Sequence, residues 1–148
     1  MLTQTLAAIF TRDLNKLKVE ITAYTSDANL WLVDKNIANS GGNLCLHLIG
    51  NLNGFIGAEI GKSGYIRIRD LEFSQKGLTR AELLLKIEAT ITVVNHALTQ
   101  LPEADLSKEY PILVFAEPMT YEFFLLHLAT HLSFHLGQIN YHRRLLDI

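Results

Sequence analysis

All three prolines of this 148-residue chain, Pro102, Pro111 and Pro118, fall within one short stretch. Proline removes a backbone donor and clashes with the preceding turn, so it breaks helix interiors. The chain before and after that stretch is therefore free to form long helices, and its apolar residues recur at helical spacing. Residues 2–24 place Leu2, Leu6, Ile9, Phe10, Leu14, Leu17, Ile21 and Tyr24 on one stripe. Residues 79–101 open with Thr79 and Glu82 in capping-box spacing, then carry Leu84, Ile87, Ile91, Val94, Leu98 and Leu101. Residues 120–147 contain no proline and one glycine, Gly137, with Thr120 placed to cap the helix behind Pro118. With a further helix over about 43–60, the pattern predicts an all-α four-helix bundle occupying residues 1–148 as one domain. The connections are 25–42, 61–78 and 102–119, and Tyr110–Phe115 in the last reads as a short edge strand. Connection 61–78 is long enough to run the length of a helix, so the second and third helices could lie parallel.

The second helix carries Gly50, Gly54 and Gly57, with Gly61 at its end. Each costs roughly 1 kcal/mol relative to alanine. At about 100° per residue they share one side with His47, while Leu44, Leu48, Leu52 and Phe55 occupy the adjacent side. A bare stripe either admits a close neighbouring element or leaves room beside His47 for a ligand.

Charge and cysteine usage exclude several classes. Thirteen basic residues against fifteen acidic ones leave a net charge of −2, so the chain lacks a basic footprint for nucleic acid. The lone Cys45 excludes an internal disulfide and any cysteine-rich zinc module. No charged signal-peptide start and no run of about 18 suitable apolar residues is present, so the expectation is a soluble, cytoplasmic protein with no membrane contact. A mean hydropathy of +0.18 and a second helix apolar over much of its circumference lead us to expect a homodimer.

The six histidines are the chemical feature. On the last helix His127, His131 and His135 follow at four-residue intervals and share the core-facing arc with Phe124, Gln138, His142 and Leu145. Buried imidazoles without partners are costly. Two histidines four apart have Cβ atoms about 6 Å from each other and can grip one ion, so His131 and His135 are candidate ligands. His47 on the inward side of the second helix is a third. The competing reading is a set of hydrogen-bonded core histidines. His142 lies roughly 10 Å further along the axis, too far to share the ion. His96 points away from its helix's apolar stripe, into solvent. Cys45, two residues from His47, faces the opposite side and is no ligand.

The run His127-Leu-Ala-Thr-His131-Leu-Ser-Phe-His135-Leu-Gly-Gln138 resembles the last-helix motif of the DinB-like (YfiT-like) metalloenzymes, in the branch with an H-x3-H-x3-H-x-G-Q pattern. His47-Leu-Ile-Gly-Asn51 is similar to that branch's second-helix motif, and Arg69-Asp-Leu-Glu72-Phe73 to its loop. One departure is Leu136, where many relatives carry a basic residue. The resemblance implies an up-down-down-up bundle, one divalent ion held by His47, His131 and His135, and a homodimer. Thiol-dependent enzymes among the relatives make a low-molecular-weight thiol the expected small-molecule substrate.

Three neutral imidazoles suit zinc, nickel, iron or cobalt. Three protein ligands leave a position open, where water or a thiolate is activated. His127, Asn51 and Gln138 are candidates for supporting the ligands from behind. Arg67, Arg69, Asp70 and Glu72 could bind a charged substrate, although charged loop residues are usually solvated. The expected function is a metal-dependent thiol S-transferase or hydrolase; the alternative is a non-catalytic metal- or ligand-binding bundle. No other catalytic residue is assigned.

Overall fold

A computed structural model describes residues 1–148. Its helices are α1 (Leu2–Ala23), α2 (Gly41–Leu52), α3 (Arg69–Ser74), α4 (Arg80–Gln100) and α5 (Tyr121–Leu146). A π-helical turn, Asn53–Ala58, extends α2. The caps follow the sequence: Thr79 and Glu82 form a reciprocal capping box, and the Thr120 hydroxyl accepts from the Phe123 amide. At α2 the Ser40 hydroxyl accepts from the Asn43 amide, so the helix starts two residues before position 43.

Side-chain pairs fix the directions of the helices. Thr11 bonds Asn95 at 3.0 Å and Lys18 pairs with Glu88 at 2.7 Å, so α1 and α4 are antiparallel. Glu20 holds Asn140 and Arg143, and Thr25 just past α1 holds Asp147 just past α5, so α1 and α5 run parallel. The Phe55 and Phe124 rings meet at 5.0 Å, beyond a contact of His47 with His131, so α2 opposes α5. Asn53 donates to Thr90 at 2.9 Å, and Cβ atoms at Gly57 and Gly61 would crowd Val93 and Ala97, so α2 runs parallel to α4. The topology is up-down-down-up, with residues 61–78 as the crossover.

A cluster of 28 buried apolar residues joins the helices. Leu6, Phe10, Leu14, Leu17 and Ile21 supply the α1 stripe. On α4 the buried line runs through Leu83, Ile87, Val94 and Ala97, a slight rotation from the expected stripe that leaves Leu84, Ile91 and Leu101 at its edge. Every residue of α2 is buried, polar Asn43, His47 and Asn51 included. The crossover, α4, α5 and Trp31 cover it within one chain, which removes α2 as an argument for a dimer.

Two expectations are corrected. Tyr110–Phe115 forms no strand; an isolated bridge between Glu109 and Thr120 flanks the segment without including it. The crossover is not all loop but contains α3. Six residues are too few to hold a helix alone. Asn43 holds this one by donating to the carbonyls of Glu72 (3.0 Å) and Gln75 (2.8 Å), satisfying groups at its C-terminal end. No helix is long and apolar enough to cross a membrane.

Candidate metal centre

Asn43 anchors α3 against the glycine side of α2, and this places Glu72 over His47. A Cβ at Gly50 would overlap the Glu72 carboxylate, and one at Gly54 would press on the Arg67 side chain. The bare stripe is therefore packed against the crossover at Gly50 and Gly54 and against α4 at Gly57 and Gly61, and the space beside His47 is filled by protein. Arg67 grips Glu72 with two bonds, Nε to Oε2 and Nη2 to Oε1, each 2.8 Å, while its guanidinium lies over Phe55. Burial raises the Glu72 pKa, but the bonds from Arg67 and His47 outweigh it and hold the carboxyl below its usual range.

Glu72 is thus an acceptor only, and His47 Nδ1 donates to its Oε1 at 3.0 Å. His135 Nδ1 donates in the same manner to Gln138 Oε1 at 2.7 Å. Both rings thus spend Nδ1 on a partner behind them and turn Nε2 toward His131. These two atoms each lie 3.1 Å from His131 Nε2. Burial, then the neighbouring imidazoles and Arg67, depress the His131 pKa to about 3, so this ring is neutral at pH 7. His135 is also shifted down by burial, partly offset by its bond to Gln138. The His131 and His135 rings, both biased toward the neutral form, therefore converge with His47 through their Nε2 atoms.

That arrangement fits a metal ion. Two nitrogens sharing one zinc at about 2.0–2.1 Å stand about 2.9–3.4 Å apart for angles between square and tetrahedral. The three potential ligand atoms lie within 4.8 Å of one another. The carboxylate behind His47 and the amide behind His135 are the outer partners that metal-binding imidazoles use to fix tautomer and direction. The three histidines lie close together and could hold a metal.

The remaining expected residues fall at differing distances from this chemistry. His127 stacks on His131 at 6.2 Å and meets the Phe115 ring edge-on at 4.9 Å. Asn51 is buried one turn beyond His47. Its Oδ1 and His131 Nδ1 are the two buried side-chain polar atoms without a hydrogen-bond partner. His142 is buried elsewhere, between the Tyr24 hydroxyl (2.7 Å) and the Leu32 carbonyl (2.8 Å). Cys45 is wholly buried, and burial raises its thiol pKa well above the usual range. His96 is exposed, as are Arg69 and Asp70. Arg67 and Glu72, in contrast, are not solvated loop charges but the support of His47. In the sequence Glu72 and Phe73 stand in the family-like loop motif, while Arg67 and Glu72 read as candidates for a charged substrate; Phe73 lies 4.9 Å from the His47 ring.

A family model described as "Protein of unknown function (DUF1572)" matches residues 5–147. A crystal structure of a conserved protein from Enterococcus faecalis superposes with a TM-score of 0.78 at 16% identity, covering 97% of this chain and 96% of that one. Among curated proteins, none matches. The structural likeness bears on the fold, and the family's helical architecture is DinB/YfiT-like.

Proposed function

This chain belongs to the DUF1572 family, and from that premise we propose that His47, His131 and His135 hold one divalent ion, zinc, nickel or iron, in a metal-dependent enzyme. The carrying observation is the convergence of three Nε2 atoms, with Glu72 and Gln138 oxygens set against the Nδ1 atoms of two of the rings. Bound by three imidazoles, such an ion supplies an open position that lowers the pKa of a thiol or water placed there. Glu72 keeps His47 aimed and donates negative charge through the ring; Arg67 keeps Glu72 ionised. Gln138 does the orienting for His135. Asn51 Oδ1, the other buried polar atom without a partner, is the candidate acceptor for a His131 Nδ1 proton once an ion is bound. His127 and the Phe115 and Phe124 rings wall one side against water. The reaction is thiol transfer, with hydrolysis as its near relative, carried out in the cytoplasm on a small molecule. Exposed Ile66, Ile68 and Leu71 on the crossover support a homodimer.

The alternative, a non-catalytic metal- or ligand-binding bundle, draws on the filled glycine side, which closes the His47 flank to a substrate. Protein purified without an affinity tag or nickel resin, then loaded with cobalt and given millimolar small thiol, separates the two. A sulfur-to-metal charge-transfer band is expected. Stoichiometric cobalt with no band would favour the non-catalytic bundle.

A further inference from the structure

A cleft of about 520 Å³ runs beside the C-terminal half of α5, between that helix, residues 36–39 and Leu44 of α2. His135 and Gln138 form part of its wall. A molecule in the cleft therefore touches the ring whose Nε2 belongs to the centre and the amide that orients it. No Asp, Glu, Lys or Arg lines this space. Its polar edges are the carboxamides of Asn36, Asn39 and Gln138 and the Tyr141 side chain, opposite the apolar Ile37 and Leu44. His142 also borders it, but both its ring nitrogens are already bonded.

The charges at this end of the bundle lie outside the cleft lining, and Arg144 is turned over the Tyr141 ring, 5.3 Å from its centroid. Arg143 pairs with Glu20 at 2.8 Å, and Asp147 accepts from Thr25 and Asn29. On the far flank of His47, Arg67 is held by Glu72. A charged ligand entering the cleft would lose hydration without gaining an ion partner from the lining, whereas carboxamides satisfy amide and hydroxyl groups well.

We propose that this cleft binds the uncharged body of the centre's substrate, a neutral small molecule bearing amide or hydroxyl groups, with its reactive end toward His135. The proposal rests on the metal-centre reading for the role of that end, but binding of the body requires no ion. It therefore selects against anionic and cationic substrates of equal size.

Three thiols of similar size serve as probes: N-acetylcysteamine (neutral), N-acetylcysteine (anionic) and cysteamine (cationic). Each is titrated into the full chain, with and without zinc, following the amide resonances of Ala38, Asn39, Gln138 and Leu145. Half-saturation is expected at about tenfold lower concentration for the neutral probe, the ratio set by about 1.4 kcal/mol. Leu145→Arg, at an exposed rim position, is expected to bring N-acetylcysteine to parity or better. Equal saturation by the three probes, or shifts confined to other residues, overturns the proposal. Parallel cobalt spectra keep the two readings apart. Cleft shifts without a charge-transfer band sustain the cleft and remove the thiol chemistry, whereas a band without cleft shifts does the reverse.

Discussion

His131 and His142 stand on the same helix, both turned inward, yet their surroundings differ in kind. His142 sits between a hydroxyl and a carbonyl, so both its nitrogens have protein partners. His131 has two imidazoles on one side and nothing on the other. The first is a core histidine whose hydrogen bonding the fold completes. The second is one whose neighbours leave it unfinished, as a metal ligand's would. Burial alone does not separate them; the partners do.

The widest difference should appear when each ring is removed. After dialysis against zinc, His131→Ala is expected to lose stoichiometric metal by elemental analysis. His142→Ala is expected to keep one zinc per chain while losing about 2–4 kcal/mol in urea unfolding, from the cavity and the unpaired Tyr24 hydroxyl. Equal metal loss in both would break the comparison.

A smaller effect tests the rings' far sides. Glu72→Gln weakens the acceptor behind His47, and competition with a chromophoric chelator should show zinc affinity reduced about 10–100-fold. Asn51→Leu is expected near the lower end, about tenfold. Its metal-free unfolding midpoint should be unchanged or raised, because an unpaired buried acceptor is replaced by methyl groups. A purely structural Asn51 would instead give a destabilised apo-protein with normal affinity.

The pH response is smaller again. His131 has a native pKa of about 3, below the ordinary histidine value of 6.5. Between those values the unfolded chain binds more protons than the native one. The stability contributed by the neutral ring is present above pH 6.5 and is lost as pH falls toward 3. The slope for one proton is at most about 1.4 kcal/mol per pH unit. Solvent screening of this half-buried ring reduces it. Urea unfolding of metal-free protein across this range should show the fall, and His131→Leu should flatten it. The smallest effect belongs to exposed His96. Changing it to alanine should leave zinc content intact and stability within about 0.5 kcal/mol.

Much of the fold is legible because helical periodicity and caps are local. Leu6 to Ile21, Thr79 with Glu82, and Thr120 all act within a few residues of themselves. The converging histidines are legible for the same reason, since spacing reports which way a side chain faces. Spacing does not report what comes over it. Glu72 reaches His47 across 25 positions, and only once Asn43 has held α3 down. A six-residue helix in a charged connection carries little periodicity, so it reads as solvated loop. Tyr110–Phe115 misleads in the opposite sense: β-branched and aromatic content favours a strand, but the one bridge nearby joins Glu109 to Thr120, outside the segment.

The empty position on α2 opposite Glu72 carries a consequence for descent. Gly50 touches no proposed ligand, yet any side chain there displaces the carboxylate that orients His47. Positions 50 and 72 are thereby coupled: a lineage that enlarged residue 50 would relax selection on the acid, and one that lost the acid would free residue 50 to vary. Glycine and glutamate should be inherited together or abandoned together, and a chain keeping all three histidines without the pair would be one in which a different group holds the proton of His47.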